Sequence, residues 1–125
     1  MSYAISPRTP EGARAVLAAA DLIELFRERA DAADRANEMC VENYTDMQRS
    51  GVAASFVPEE LGGFGLQSMH DWNLIIATLA RGDGSAAIAI SMHLSATRGL
   101  AAAYRSNEPG SLPRLRAKRL LEAIA

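Results

Sequence analysis

Between Gly84 and Thr97 the chain carries no charged residue. Written as a helix, G-S-A-A-I-A-I-S-M-H-L-S-A-T is apolar almost all the way round. In a water-soluble protein such a helix has to be surrounded by others. The run is too short to cross a bilayer, which takes about 20 apolar residues. The other segments of the 125-residue chain are therefore read first as its cover. The whole chain is 49% hydrophobic, enough for a core. Aromatics are only 6% and alanine is abundant, which favours closely packed helices over a β-sandwich. The expectation is one all-α domain, a helical bundle.

Local signals place the helices. Thr9-Pro10-Glu11 is a helix start: a capping hydroxyl, a proline in the first turn, an acid near the positive end. Val16, Leu22, Ile23, Phe26, Ala30 and Ala33 then give one long buried stripe, with Arg27, Glu28 and Arg29 toward water and a bend at residues 34–37. Residues 1–8 show no pattern and are expected to be flexible, which leaves 9–125 as the domain. A second helix is predicted over Glu38–Ser50, with Cys40, Tyr44 and Met47 inward. Gly51 suits a left-handed position after it, with Val52 folding back. Val52 to Val57 reads as extended, Pro58-Glu59-Glu60 as a short turn, and Gly62-Gly63-Phe64-Gly65 as a tight loop. Ser68 and Asp71 have capping-box spacing ahead of Trp72, Ile75, Ile76 and Leu79, an i, i+3, i+4, i+7 face. His70, in that first turn, reads as a surface residue. Arg81-Gly82 closes the helix and Asp83 caps the next, predicted over Gly84–Tyr104. After a loop at Ser106–Pro113 a basic helix turns Leu120, Leu121 and Ile124 inward and is still helical at Ala125.

A formal charge of -2 and a pI near 5.7 argue against a general nucleic-acid binder. The single Cys40 makes no intrachain disulfide, and Met1–Pro10 lacks the apolar core of an export signal, so a cytoplasmic protein without a membrane span is expected. No spacing suggests a metal site.

Chemistry has few candidates. The Gly62–Gly65 loop lacks both a preceding buried strand and a Lys-Ser/Thr pair, so a structural turn is preferred to a phosphate cradle. Cys40 reads as a small core side chain. On the uncharged helix, Ile88, Ser91, Met92 and Ser95 share one face, and Ala86, Ile90, His93, Leu94 and Thr97 the other. An apolar wall with few hydroxyls suits an apolar substrate, although serines in helices also bond back to their own carbonyls. His93 reads first as a buried neutral imidazole with a hydrogen bond, and second as a group beside a cofactor.

Met47–Gly51 (M-Q-R-S-G), Val57–Leu66 (V-P-E-E-L-G-G-F-G-L), Leu79–Ser85 (L-A-R-G-D-G-S) and Ser91-Met92-His93 together resemble the N-terminal helical domain of acyl-CoA dehydrogenases. The likeness runs from about residue 12 to the end, and the same domain opens acyl-CoA oxidases and flavin-dependent monooxygenases. The resemblance implies FAD, a homo-oligomer, and dehydrogenation of an acyl-CoA-like thioester, with flavin-dependent oxygenation as the variant. It makes Ile88, Ser91, Met92 and Ser95 pocket-lining candidates and brings His93 near the flavin in the monooxygenase branch. The family's middle β-domain, its flavin-binding segment and its C-terminal catalytic glutamate match nothing in these 125 residues. No catalytic residue is therefore assigned, and the chain is expected to be one wall of a pocket completed by the rest of the flavoenzyme and inactive alone. The alternative is a non-catalytic helical module that dimerises or binds partners.

Overall fold

Thr9 starts the first helix as its sequence suggests: its hydroxyl accepts the Gly12 amide at 3.0 Å, and Pro10 fills the first turn. A computed structural model describes residues 5–125, and among these it contains six α-helices and no strand. They are α1 (Pro10–Ala20), α2 (Ile23–Ala36), α3 (Val41–Arg49), α4 (Met69–Ala80), α5 (Gly84–Ser106) and α6 (Leu112–Ile124). The expectation of a flexible residue 1–8 segment falls partly on residues 1–4, outside the described residues. Of the others, Ser6 accepts a bond from His70 and the Arg8 amide donates to Asp71.

The predicted first helix is two. The ladder breaks at Asp21–Leu22, where the Leu22 amide turns back to the Ala19 carbonyl. The break sets α2 against the corner between α4 and α5: Gly82 packs on the Ile23 carbonyl and Phe26 so closely that a Cβ there would collide with both. Arg29, expected in water, is half-buried and pairs with Asp46 of α3 at 2.6 Å.

Between α3 and α4 the chain does not extend. Gly51 takes φ 85, and Val52–Ala54 winds into a 3-10 turn that buries Val52 completely. A second 3-10 turn at Glu59–Leu61 fits the short turn read at Pro58. The glycine loop then doubles back, with the Gly65 amide on the Val57 carbonyl and the Leu66 amide on the Ser55 carbonyl. Gly63 lies so near the Val57 and Ala54 carbonyls that no side chain fits. Several backbone groups of this long connection are thus satisfied within it, which lets Val52–Val57 be buried while Glu59, Glu60 and Gln67 stay at the surface.

The larger core joins α1 to α5 through Phe26, Met47, Phe56, Ile75, Leu79 and Leu94, each at most 1% exposed. Fully burying a side chain of this size contributes about 1.5–3 kcal/mol. A smaller core, with Val57, Ala101, Ala117 and Leu121, seats α6 on the C-terminal half of α5. Leu120, expected inside, is exposed, because α6 is shallow and buries only the stripe of Ala117, Leu121 and Ile124. No helix among the described residues is long and apolar enough to cross a membrane.

The central expectation needs a correction. α5 is covered on one side only. Ala86, Ile90, Leu94, Thr97, Ala101 and Tyr104 are buried, while Ile88 and Met92 are 71% and 74% exposed. Absence of charge overstated its apolarity: many residues of the run are Ala, Ser or Gly, whose exposure costs little.

Candidate functional site

Asp83 fixes the start of α5. Its Oδ1 accepts the Ser85 and Ala86 amides at 2.9 and 3.4 Å, and its Oδ2 accepts from the side chain of the fully buried Asn43. Asn43 in turn accepts from Arg29, which holds Asp46. That charged hydrogen bond to Asp46, more than the opposing burial, raises the Arg29 pKa. The chain of bonds ties α2, α3 and α5 together, so the outward face of α5 is presented by a fixed helix.

That face carries the four wall candidates. Ile88, Met92 and Ser95 are exposed and Ser91 is half-buried, so the structure brings all four onto one strip. It does not bring His93 there. At about 100° per residue His93 lies roughly half a turn round from Ser91. Its Nε2 is 2.9 Å from the Ala53 carbonyl. A carbonyl only accepts, so Nε2 is the donor in this bond. His93 thereby clips α5 to the 3-10 turn.

Two turns further along α5 the same strip changes character. Arg98 and Arg105 follow Ser91 at i+7 and i+14, with Ala102 between. They rim a cleft of about 350 Å³ whose floor is Phe56 and Leu66, with Gln67 on the facing loop. The uncharged run ends at Thr97, one residue before Arg98. The same period of 3.5 carried past it reaches both arginines.

A larger cavity, about 580 Å³, opens between the α2–α3 connection and the start of α5. Asp31, Asp34, Glu38 and Asp83 line it, with Cys40 at its edge. His70, read as a surface residue, is half-buried, with its Nε2 3.0 Å from the Ser6 carbonyl.

Residues 16–108 match the family described as acyl-CoA dehydrogenase, N-terminal domain. The chain belongs to that family. Among characterised relatives it is 34% identical over 113 residues to the amino sugar nitrososynthase DnmZ of Streptomyces peucetius, covering 86% of this chain and 26% of that one. It is 33% identical over 120 residues to the L-evernosamine nitrososynthase of a Micromonospora species, covering 96% and 28%. The crystal structure of a nitrososynthase from Micromonospora carbonacea var. africana superposes with a TM-score of 0.87 at 32% identity, covering 96% of this chain and 30% of that one. KijD3 in complex with dTDP gives the same TM-score at 28% identity, covering 95% and 30%. This chain spans less than a third of the length of each.

The family resemblance implies FAD, and the donor set of α5 can be set against it. Ser91 and Ser95 put hydroxyls beside Ile88 and Met92, which fits one side of a flat ring with polar edges. A helix face is convex and encloses nothing, so these residues fit as a wall rather than as a socket.

Proposed function

We propose that this domain supplies one wall of the substrate and flavin pocket of an enzyme that oxidises the amino group of a nucleotide-linked amino sugar. The observation that carries the reading is the relatives' shared activity: DnmZ, the L-evernosamine enzyme and RubN8 of Streptomyces rubradiris, at 33–35% identity, are all nitrososynthases. The dTDP held by KijD3 supports a sugar carried on a nucleoside diphosphate. Turning an amine into a nitroso group removes two hydrogens from nitrogen and adds one oxygen. Bound flavin would supply electrons and oxygen chemistry, while Ser91 and Ser95 orient the polar ring and Ile88 and Met92 exclude water from it.

The second reading is α,β-dehydrogenation of an acyl thioester, favoured by the family match and by the large apolar side chains of Ile88 and Met92 on the open face. Exposed Leu112, Leu115 and Leu120 on α6 support association with further domains or a second copy, as a cytoplasmic homo-oligomer. The test uses the complete gene product with reduced flavin and oxygen, offered a dTDP-linked amino sugar and, separately, an acyl-CoA. Mass spectrometry showing the sugar nucleotide gaining oxygen and losing hydrogen supports the proposal. An enoyl thioester instead selects the second reading, and turnover of neither leaves the non-catalytic module.

A further inference from the structure

We propose that the cleft rimmed by Arg98 and Arg105 is the anchor for the diphosphate of a nucleotide-linked substrate. This rests on the pocket-wall reading above and adds the residues that hold the substrate's charged end.

Four observations converge. Both guanidiniums are exposed, and neither bonds to a carboxylate or any other acceptor among the described residues. The arginines of this chain that have structural work show it: Arg29 holds Asp46, and Arg114 bonds the carbonyls of Tyr104 and Asn107 while lying over the Tyr104 ring. Seven residues apart on one helix, Arg98 and Arg105 stand about 10 Å apart along its axis, a span their long side chains can close on two linked phosphates. The cleft beside Arg98 is open, since Gly99 lines it and a Cβ added there would meet nothing within 4 Å. The acidic cavity beside Asp31, Asp34 and Glu38 repels such an anion, so charge sorts the two cavities.

Register fixes what lies at the other end of the ligand. Ser95 is one turn from Arg98, about 5 Å along the axis. A sugar attached directly to the diphosphate reaches Ser91 and Ser95 from there. In a coenzyme A thioester a long pantetheine arm separates the diphosphate from the reacting carbon, so the same anchor would place that carbon well beyond Ile88. Both ligands share the diphosphate, and the spacing favours the sugar nucleotide.

The experiment uses the complete gene product and compares Arg98→Ala, Arg105→Ala and, as control, Arg119→Ala on the exposed face of α6. Binding of dTDP alone is measured by calorimetry, and steady-state constants are measured with the dTDP-linked amino sugar. Each cleft variant is expected to weaken dTDP binding and raise KM about tenfold, with kcat nearly unchanged, because a remote charge contact binds ground and transition state alike. Arg98→Lys should recover part of the loss and Arg119→Ala should show none. Competition by coenzyme A that depends on the same two arginines, with dTDP inert, assigns the anchor to the thioester and overturns the sugar-nucleotide assignment. Unchanged dTDP affinity in both cleft variants overturns the anchor itself, even if the nitroso product forms. Loss of affinity in the variants of a protein that makes no nitroso product keeps the anchor and removes only the amine-oxidation reading.

Discussion

Asp71 holds the N-terminal end of the bundle from the far side of the chain. Though fully buried, it accepts the Arg8 amide at 2.8 Å, the Thr9 amide at 3.0 Å and the Thr9 hydroxyl. Burial pushes its pKa up, and these donors together outweigh burial and hold it below the ordinary carboxylate value. A depressed folded pKa stabilises the native state at neutral pH and is lost as pH falls through that lowered value. Asp71→Asn is therefore expected to destabilise by about 1–3 kcal/mol at pH 7. The urea midpoint of the variant should also fall less steeply on acidification than the wild type's, and parallel pH profiles would remove Asp71 from this role. Gly12→Ala should be destabilising for the same reason, since its Cβ would occupy the Asp71 carboxylate's space. Half of this was legible. Ser68 and Asp71 have capping-box spacing, and the Asp71 amide does donate to Ser68 Oγ at 3.2 Å. The acid does not complete the box, because it is drawn to Thr9 across 62 residues, a tertiary contact that local spacing does not encode. Asn43 was missed likewise: a polar residue on an apolar stripe gives no local sign that Asp83 and Arg29 will satisfy it. Removing its amide in Asn43→Leu should lower stability by about 1–3 kcal/mol in denaturant titrations, through the stranded Asp83 and Arg29 contacts.

At the scale of elements, α5 shows what periodicity does and does not say. Spacing assigned Ala86, Ile90, Leu94 and Thr97 to one face, and that face is the buried one. Lack of charge suggested cover on all sides, and that failed because small residues are indifferent to water. The break between α1 and α2 was illegible for another reason: Ala15, Ala19, Leu22 and Phe26 keep helical spacing straight through it, and the close contact of Ile23 and Phe26 with Gly82 beyond it is tertiary. His93 shares the inner flank, so His93→Ala is expected to lower the melting temperature by removing the bond to Ala53. Turnover lost at unchanged melting temperature would instead place the imidazole at the flavin. Ile88→Ser and Met92→Ser should leave the stability of the domain within about 0.5 kcal/mol, being exposed. If the strip is a pocket wall, the same changes in the complete gene product raise KM for the substrate, and unchanged KM together with unchanged stability would make the strip plain surface.

For the whole molecule, internal satisfaction and external incompleteness coexist. The long connection closes many of its own backbone bonds, His93 meets its Ala53 carbonyl, and Arg114 seals the α5–α6 turn. Such a body is expected to fold without help. Yet the strip proposed as a pocket wall is convex, and the apolar exposures at Ile88, Met92, Leu112 and Leu115 lie on outer faces of the last two helices. A wall of this kind contributes affinity only when another surface faces it, since a ligand on a convex face keeps most of its hydration. Residues 1–125 purified alone should therefore give a helical circular dichroism spectrum and a cooperative melt, while FAD titrated against them binds only weakly. Flavin fluorescence and calorimetry read the binding directly. A yellow protein that retains stoichiometric FAD through gel filtration would mean that α5 and its cleft form a socket by themselves, and the wall reading would fall with it.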